Sequence, residues 1–140
     1  MSDDSFVLRP IGVVRSPLTD RASAPKQGAE GSPDAWVVFE PAILDGLADV
    51  GPGEHVIILT WLDRARRDVL RTRPRDDPAN PEIGVFSTRS PDRPNPIGLH
   101  LVEVLAIDVG GGRLQVRNLE ALDGTPVVDV KPVLPGVPDA

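Results

Sequence analysis

Ile97-Gly98-Leu99-His100-Leu101-Val102-Glu103-Val104-Leu105-Ala106-Ile107-Asp108-Val109-Gly110-Gly111-Gly112-Arg113-Leu114-Gln115-Val116-Arg117-Asn118-Leu119 holds two apolar runs parted by three glycines. Only glycine enters positive φ without steric cost, so Gly110 to Gly112 reads as a hairpin turn. In the second run Leu114 and Val116 face one side and polar residues the other, the mark of a half-buried strand. Arg113, on its outer face, is expected to be inert. The first run, from Leu99 to Val109, is apolar on both faces, as in a central strand or one that also meets a partner subunit. Working outward, further strands are expected at Phe6–Arg15, Ala35–Glu40, His55–Leu62, Ile83–Thr88 and Val127–Lys131, with the hairpin strands at Ile97–Val109 and Arg113–Leu119. Sixteen prolines and 13 glycines leave no persuasive helical period. Pro41–Leu47 reads as one or two helical turns, and 71–81 as an exposed loop. Seven short strands imply an all-β sandwich or barrel.

At 140 residues the chain, 1–140, is expected to form one domain. Forty per cent apolar and 26% charged residues fit a soluble globular protein. No apolar run approaches the ~20 residues of a membrane span, and the acidic start does not resemble a secretory signal, so the expected location is cytoplasmic. Without cysteine there is no disulfide framework, thiolate site or cysteine nucleophile. His55 and His100 lie in strands without metal-binding spacing, so no metal is expected. No Gly-x-Ser-x-Gly elbow occurs, and Gly51-Pro52-Gly53 precedes a strand, where it reads as a turn rather than a phosphate cradle. The net charge of −6 argues against a uniformly basic nucleic-acid binder. Yet Arg64, Arg66, Arg67, Arg71, Arg73, Arg75, Arg89 and Arg93 fall within one 30-residue stretch.

Gly84-Val85-Phe86-Ser87-Thr88-Arg89-Ser90-Pro91-Asp92-Arg93-Pro94-Asn95-Pro96-Ile97-Gly98-Leu99 joins strand to strand through a stiff loop. Three prolines fix φ and restrict each preceding residue, which presets the directions of Arg89, Ser90, Arg93 and Asn95. Such a loop has little ordering entropy left to lose on binding.

The segment resembles the Thr-Arg-Ser-Pro-x-Arg-Pro-Asn-Pro-Ile-Gly-Leu signature of the TrmO (TsaA-like) tRNA-adenosine methyltransferases. The resemblance extends from Pro10-Ile11-Gly12-Val13-Val14-Arg15-Ser16-Pro17, through Ala24-Pro25-Lys26-Gln27 and Leu122-Asp123-Gly124-Thr125-Pro126, to Val128-Asp129-Val130-Lys131-Pro132. It implies a compact single-sheet β-barrel with short helical turns, usually a homodimer, that binds S-adenosylmethionine (S-adenosyl-L-methionine) near the subunit interface. It implies methyl transfer to N6 of a modified adenosine in a tRNA anticodon region. Carried over by position, cofactor contacts come from Pro25, Lys26, Gln27, Asp63, Arg64, Arg89, Leu99, Leu122, Asp123, Gly124 and Thr125, and acceptor contacts from Arg93 and Asn95. Asp63 or Asp123 would meet the methionine ammonium, and Arg64 or Arg89 the carboxylate. Asp129 and Lys131 read as a buried pair that holds two strands. Lysine replaces the family's arginine at 26, aspartate stands at 63 where many members carry histidine, and the additional C-terminal domain of some members is expected to be absent.

Overall fold

The computed structural model describes residues 5–19 and 33–136. Their strands are β1 (Gly12–Arg15), β2 (Ala35–Phe39), β3 (His55–Trp61), β4 (Arg71–Thr72), β5 (Ile83–Gly84), β6 (Ile97–Asp108), β7 (Arg113–Arg117) and β8 (Pro126–Pro132). Six of them close into one barrel in the order β1-β2-β7-β6-β3-β8, every neighbouring pair antiparallel. The sandwich alternative therefore gives way to a single closed sheet, which leaves these strands no open edge. β4 and β5 form a separate two-stranded ribbon. Short 3-10 turns lie at Pro41–Leu47, Pro74–Asp76 and Val85–Ser87.

Alternation fills the barrel. Val102 and Val104 of β6, Leu114 and Val116 of β7, Val37 of β2, Ile58 of β3, Val14 of β1 and Val127 of β8 are all at most 1% exposed. They form one cluster with Ala35, Phe39, Val56 and Leu119, and each large apolar side chain so buried contributes roughly 1.5–3 kcal/mol. β3 also buries Ile57, at 3% exposure, next to Val56 and Ile58. That continuous apolar run marks a strand covered on both faces.

The glycine triplet forms the expected turn. Gly112 has φ +63° and its carbonyl accepts the amide of Phe39 at 2.9 Å. Asp108 accepts the Gly111 amide at 3.0 Å and the Arg113 guanidinium at 3.0 Å. The amide first and the guanidinium second hold its carboxyl below the usual carboxylate range.

Several expectations are corrected. β1 starts at Gly12 rather than Phe6; Phe6 and Val7, each 88% exposed, pair with no strand among the described residues. The expected strand from Ile83 to Thr88 keeps only Ile83 and Gly84, because the chain then winds into a 3-10 turn whose carbonyls Arg93 gathers. The supposed loop from residue 71 contains β4, paired with β5. β7 ends at Arg117, since Asn118 takes φ 71° and breaks the strand. Arg113 is not inert: its guanidinium lies 4.0 Å from the Trp36 ring centroid and pairs with Asp108. Asp129 and Lys131 pair at 3.4 Å, but on one strand and half exposed, so they hold no second strand.

Candidate functional site

Three connections meet at one end of the barrel: the chain leaving β1, the long excursion from β3 to β6, and the turn that enters β8. The turn is tight because Thr125 donates to the Leu122 carbonyl at 3.1 Å while Gly124 takes φ +85°, a conformation that favours glycine. It is sewn to β1 and its extension. Gly124 donates to Val14 at 2.8 Å, Asp123 donates to Leu18 at 2.7 Å, and the Ser16 amide donates to Asp123 Oδ1 at 3.1 Å. Arg15 lies 3.9 Å from the same carboxylate.

Arg64 bridges the excursion to this junction. Its Nη2 donates to the Asp123 carbonyl at 2.8 Å and its Nη1 to the Thr19 carbonyl at 3.0 Å. Thus Arg64 and the turn from Leu122 to Thr125, separate in sequence, form one structure. Asp63, beside Arg64, is exposed and has no hydrogen-bond or ion-pair partner among the described residues.

The proline loop is braced from within. Arg93 donates to the carbonyls of Val85 at 2.7 Å, Thr88 at 3.1 Å and Ser90 at 3.0 Å. Its backbone amide donates to Arg66, whose own amide donates to Asp92. Arg67 donates to the Pro94 carbonyl at 2.7 Å and to Asn95 Oδ1 at 2.8 Å, and stacks 5.1 Å from the centroid of Trp61. Arg89 projects from this braced loop, exposed and without a partner among the described residues. Leu99 is half-buried on β6 opposite Leu59. No described contact joins Arg89 or Leu99 to the Arg64–Asp123 junction. Pro25, Lys26 and Gln27 lie outside the described residues.

Sequence reasoning missed two features. Arg67 was visible only as one arginine among eight, and its role follows from the fold bringing Asn95 within reach. The other is a polar pair inside the barrel: Thr60, fully buried, is hydrogen-bonded to His100 Nε2 at 2.8 Å. Burial pushes His100 down to about 4. Among the described residues no three metal-binding side chains cluster, and no helix is long and apolar enough to cross a membrane.

A closed antiparallel barrel with a polar junction on the loops at one end places the chain in an all-β barrel class distinct from the doubly wound nucleotide binders. The chain belongs to the tRNA-methyltransferase O N-terminal domain family, whose model matches residues 13–139. It is 47% identical over 132 residues to a "Probable S-adenosyl-L-methionine-binding protein" of Methanothermobacter thermautotrophicus, covering 94% of this chain and 93% of that one. It is 35% identical over 148 residues to the tRNA (adenine(37)-N6)-methyltransferase of Escherichia coli, covering 97% of this chain. The crystal structure of TrmO from P. aeruginosa superposes with a TM-score of 0.74 at 29% identity, over 97% of this chain. The chain spans 62% of the E. coli enzyme and 59% of that solved chain.

Proposed function

We propose that this chain is an S-adenosylmethionine-dependent methyltransferase that acts on N6 of a modified adenosine in a tRNA anticodon region. The observation that carries the reading is the junction where Arg64 clamps the turn from Leu122 to Thr125, with the exposed Asp63 carboxylate beside it unpaired among the described residues. The donor set fits a zwitterionic, cationic cofactor. Asp63 or Asp123 would hold the ammonium; Arg89, assisted by Arg64, would take the carboxylate in a two-pronged contact. Backbone groups of the proline loop would read the adenine, Leu99 and the turn from Leu122 to Thr125 would line the site, and Pro25, Lys26 and Gln27 would complete it.

When bound, the cofactor supplies a methyl group on a sulfonium, already activated for displacement. The protein's part is then to align the acceptor nitrogen and exclude water, which accounts for most of the acceleration in such transfers. Arg93 and Asn95 stand on the acceptor side in this reading. Arg93 acts by stiffening the loop, and Asn95 holds Arg67. No side chain is assigned as general base. The exposed apolar residues Ile97 and Leu101 on β6, 46% and 51% exposed, support a homodimer through that face. A cytoplasmic location accompanies the tRNA reading.

Two measurements test the proposal. Saturation with S-adenosylmethionine at 100 times its Kd should stabilise the fold by about 2.7 kcal/mol. No thermal shift with millimolar S-adenosylmethionine or S-adenosylhomocysteine would sink it. Labelled methyl groups should pass to bulk tRNA; transfer only to a pool of small metabolites would keep the cofactor and replace the acceptor.

A further inference from the structure

Eight of the chain's fifteen basic residues, against five of its twenty-one acidic ones, lie in residues 64–93. How their guanidinium groups are held decides what this excursion shows to solvent. On the barrel wall, cations meet carboxylates: Arg113 meets Asp108 at 3.0 Å, Arg117 meets Glu103 at 3.3 Å, and Lys131 meets Asp129 at 3.4 Å. Within the excursion Arg66 and Arg71 show that pattern too, with Asp68 and Glu82. Four others rest on neutral oxygens. Arg64 and Arg93 donate to backbone carbonyls, Arg67 to the Pro94 carbonyl and the Asn95 amide oxygen, and Arg73 to the Asn80 carbonyl at 2.7 Å. A carbonyl orients a guanidinium without cancelling its charge.

Each guanidinium has five N–H donors. Arg67 donates to the Pro94 carbonyl and Asn95 Oδ1, Arg73 to the Asn80 carbonyl, and both residues are exposed. They therefore keep directed donors and a full positive charge. Arg67 is braced against Pro94 and Asn95 of the proline loop, and Arg73 directly follows β4, which is paired with β5. Because the whole chain carries −6, a polyanion is drawn to cations whose charge no carboxylate offsets.

We infer that Arg67 and Arg73 dock the phosphate backbone of an RNA along this excursion. The inference rests on the tRNA reading above and adds where the RNA sits. Arg64 and Arg89 serve the cofactor, whereas Arg67 and Arg73 position the acceptor strand without contacting reacting atoms.

The test is the binding of a fluorescein-labelled anticodon stem–loop RNA by anisotropy across a salt series, with S-adenosylmethionine affinity measured in parallel by calorimetry. For Arg73→Gln the slope of log affinity against log salt should fall by roughly one, with cofactor affinity unchanged and Arg73→Lys restoring the slope. Arg117→Gln, which removes a carboxylate-paired cation from the barrel wall, should bind RNA like the parent. Three results would overturn the inference: an unaltered slope in Arg73→Gln, an equal loss in Arg117→Gln, or displacement of the RNA by polyglutamate at equal charge. A chain that transfers methyl groups yet ignores Arg73 in RNA binding refutes the surface alone. A chain that binds RNA with the Arg73-dependent slope but transfers nothing supports the surface and refutes the enzyme.

Discussion

Arg89 and His100 are single side chains with opposite surroundings, and each makes a separate demand. Arg89 stands in solvent on a loop whose backbone is held by Arg93 and three prolines. Arg89→Lys keeps the charge but loses the planar fork. Calorimetry should find S-adenosylmethionine binding weakened at least tenfold, or ~1.4 kcal/mol, while Arg117→Lys binds like the parent. Equal binding by both would make the loop mere scaffolding. His100 is enclosed with Thr60, and burial lowers it from 6.5 to about 4. Between those values the unfolded chain takes up a proton that the folded chain refuses. Stability should therefore be complete above pH 6.5 and decline as pH falls toward 4, by up to roughly 3 kcal/mol. Urea unfolding at pH 7.5 and 4.5 checks this: the gap between parent and His100→Gln should shrink at the lower pH, and a gap that stays constant would contradict it. Neither environment was legible in sequence. Thr60 lies forty residues from His100, and nothing local to either residue announces the pair.

At the scale of elements, β3 and β6 pair with Gly98 opposite Thr60. A Cβ at Gly98 would collide with Thr60 Oγ1 and come within 2.6 Å of His100 Nε2. Gly98→Ala should therefore cost about 1–3 kcal/mol of stability, the usual range for overpacking. It should also weaken cofactor binding by tilting the proline loop that feeds β6. Chemical denaturation and calorimetry on the same sample would show both, and an undisturbed melting curve would refute the steric argument. Elements with their own punctuation were legible: the glycine triplet marked the hairpin, Pro41 opened a 3-10 turn, and the alternation in β7 named its inward face. Elements made by distant partners were not. β4 and β5 are two residues each and exist only as a pair, and the turn after Gly84 depends on Arg93. The site divides in the same way. The motif pointed to Arg64 and Asp123, but that Arg64 grips the backbone at 123 emerged only when the barrel brought both to one end.

For the molecule as a whole, the homodimer proposed above rests on Ile97 and Leu101, left exposed on the outer wall. Sedimentation at working concentration should find a dimer, and Leu101→Asp should shift it toward monomer without unfolding the barrel. A parent that sediments as a monomer would remove the face from the argument. The barrel also has a seam. The excursion leaves after Trp61 and returns at Ile97, its ends clasped by the Leu62 amide on the Pro96 carbonyl at 2.8 Å. Closing so long a detour costs little more than closing one half its length, about 0.6 kcal/mol per doubling, so its length is nearly free in equilibrium terms. It is not free in time. The β6–β7 hairpin closes across four residues, whereas β3 has to find β6 across the whole detour, and distant pairings are slow. Assembly then starts at the hairpin and ends where β1 meets β8, since Gly12 and Val127 pair across the longest stretch of chain in the barrel. The excursion that bears the arginines is closed off earlier, by a pairing of intermediate range.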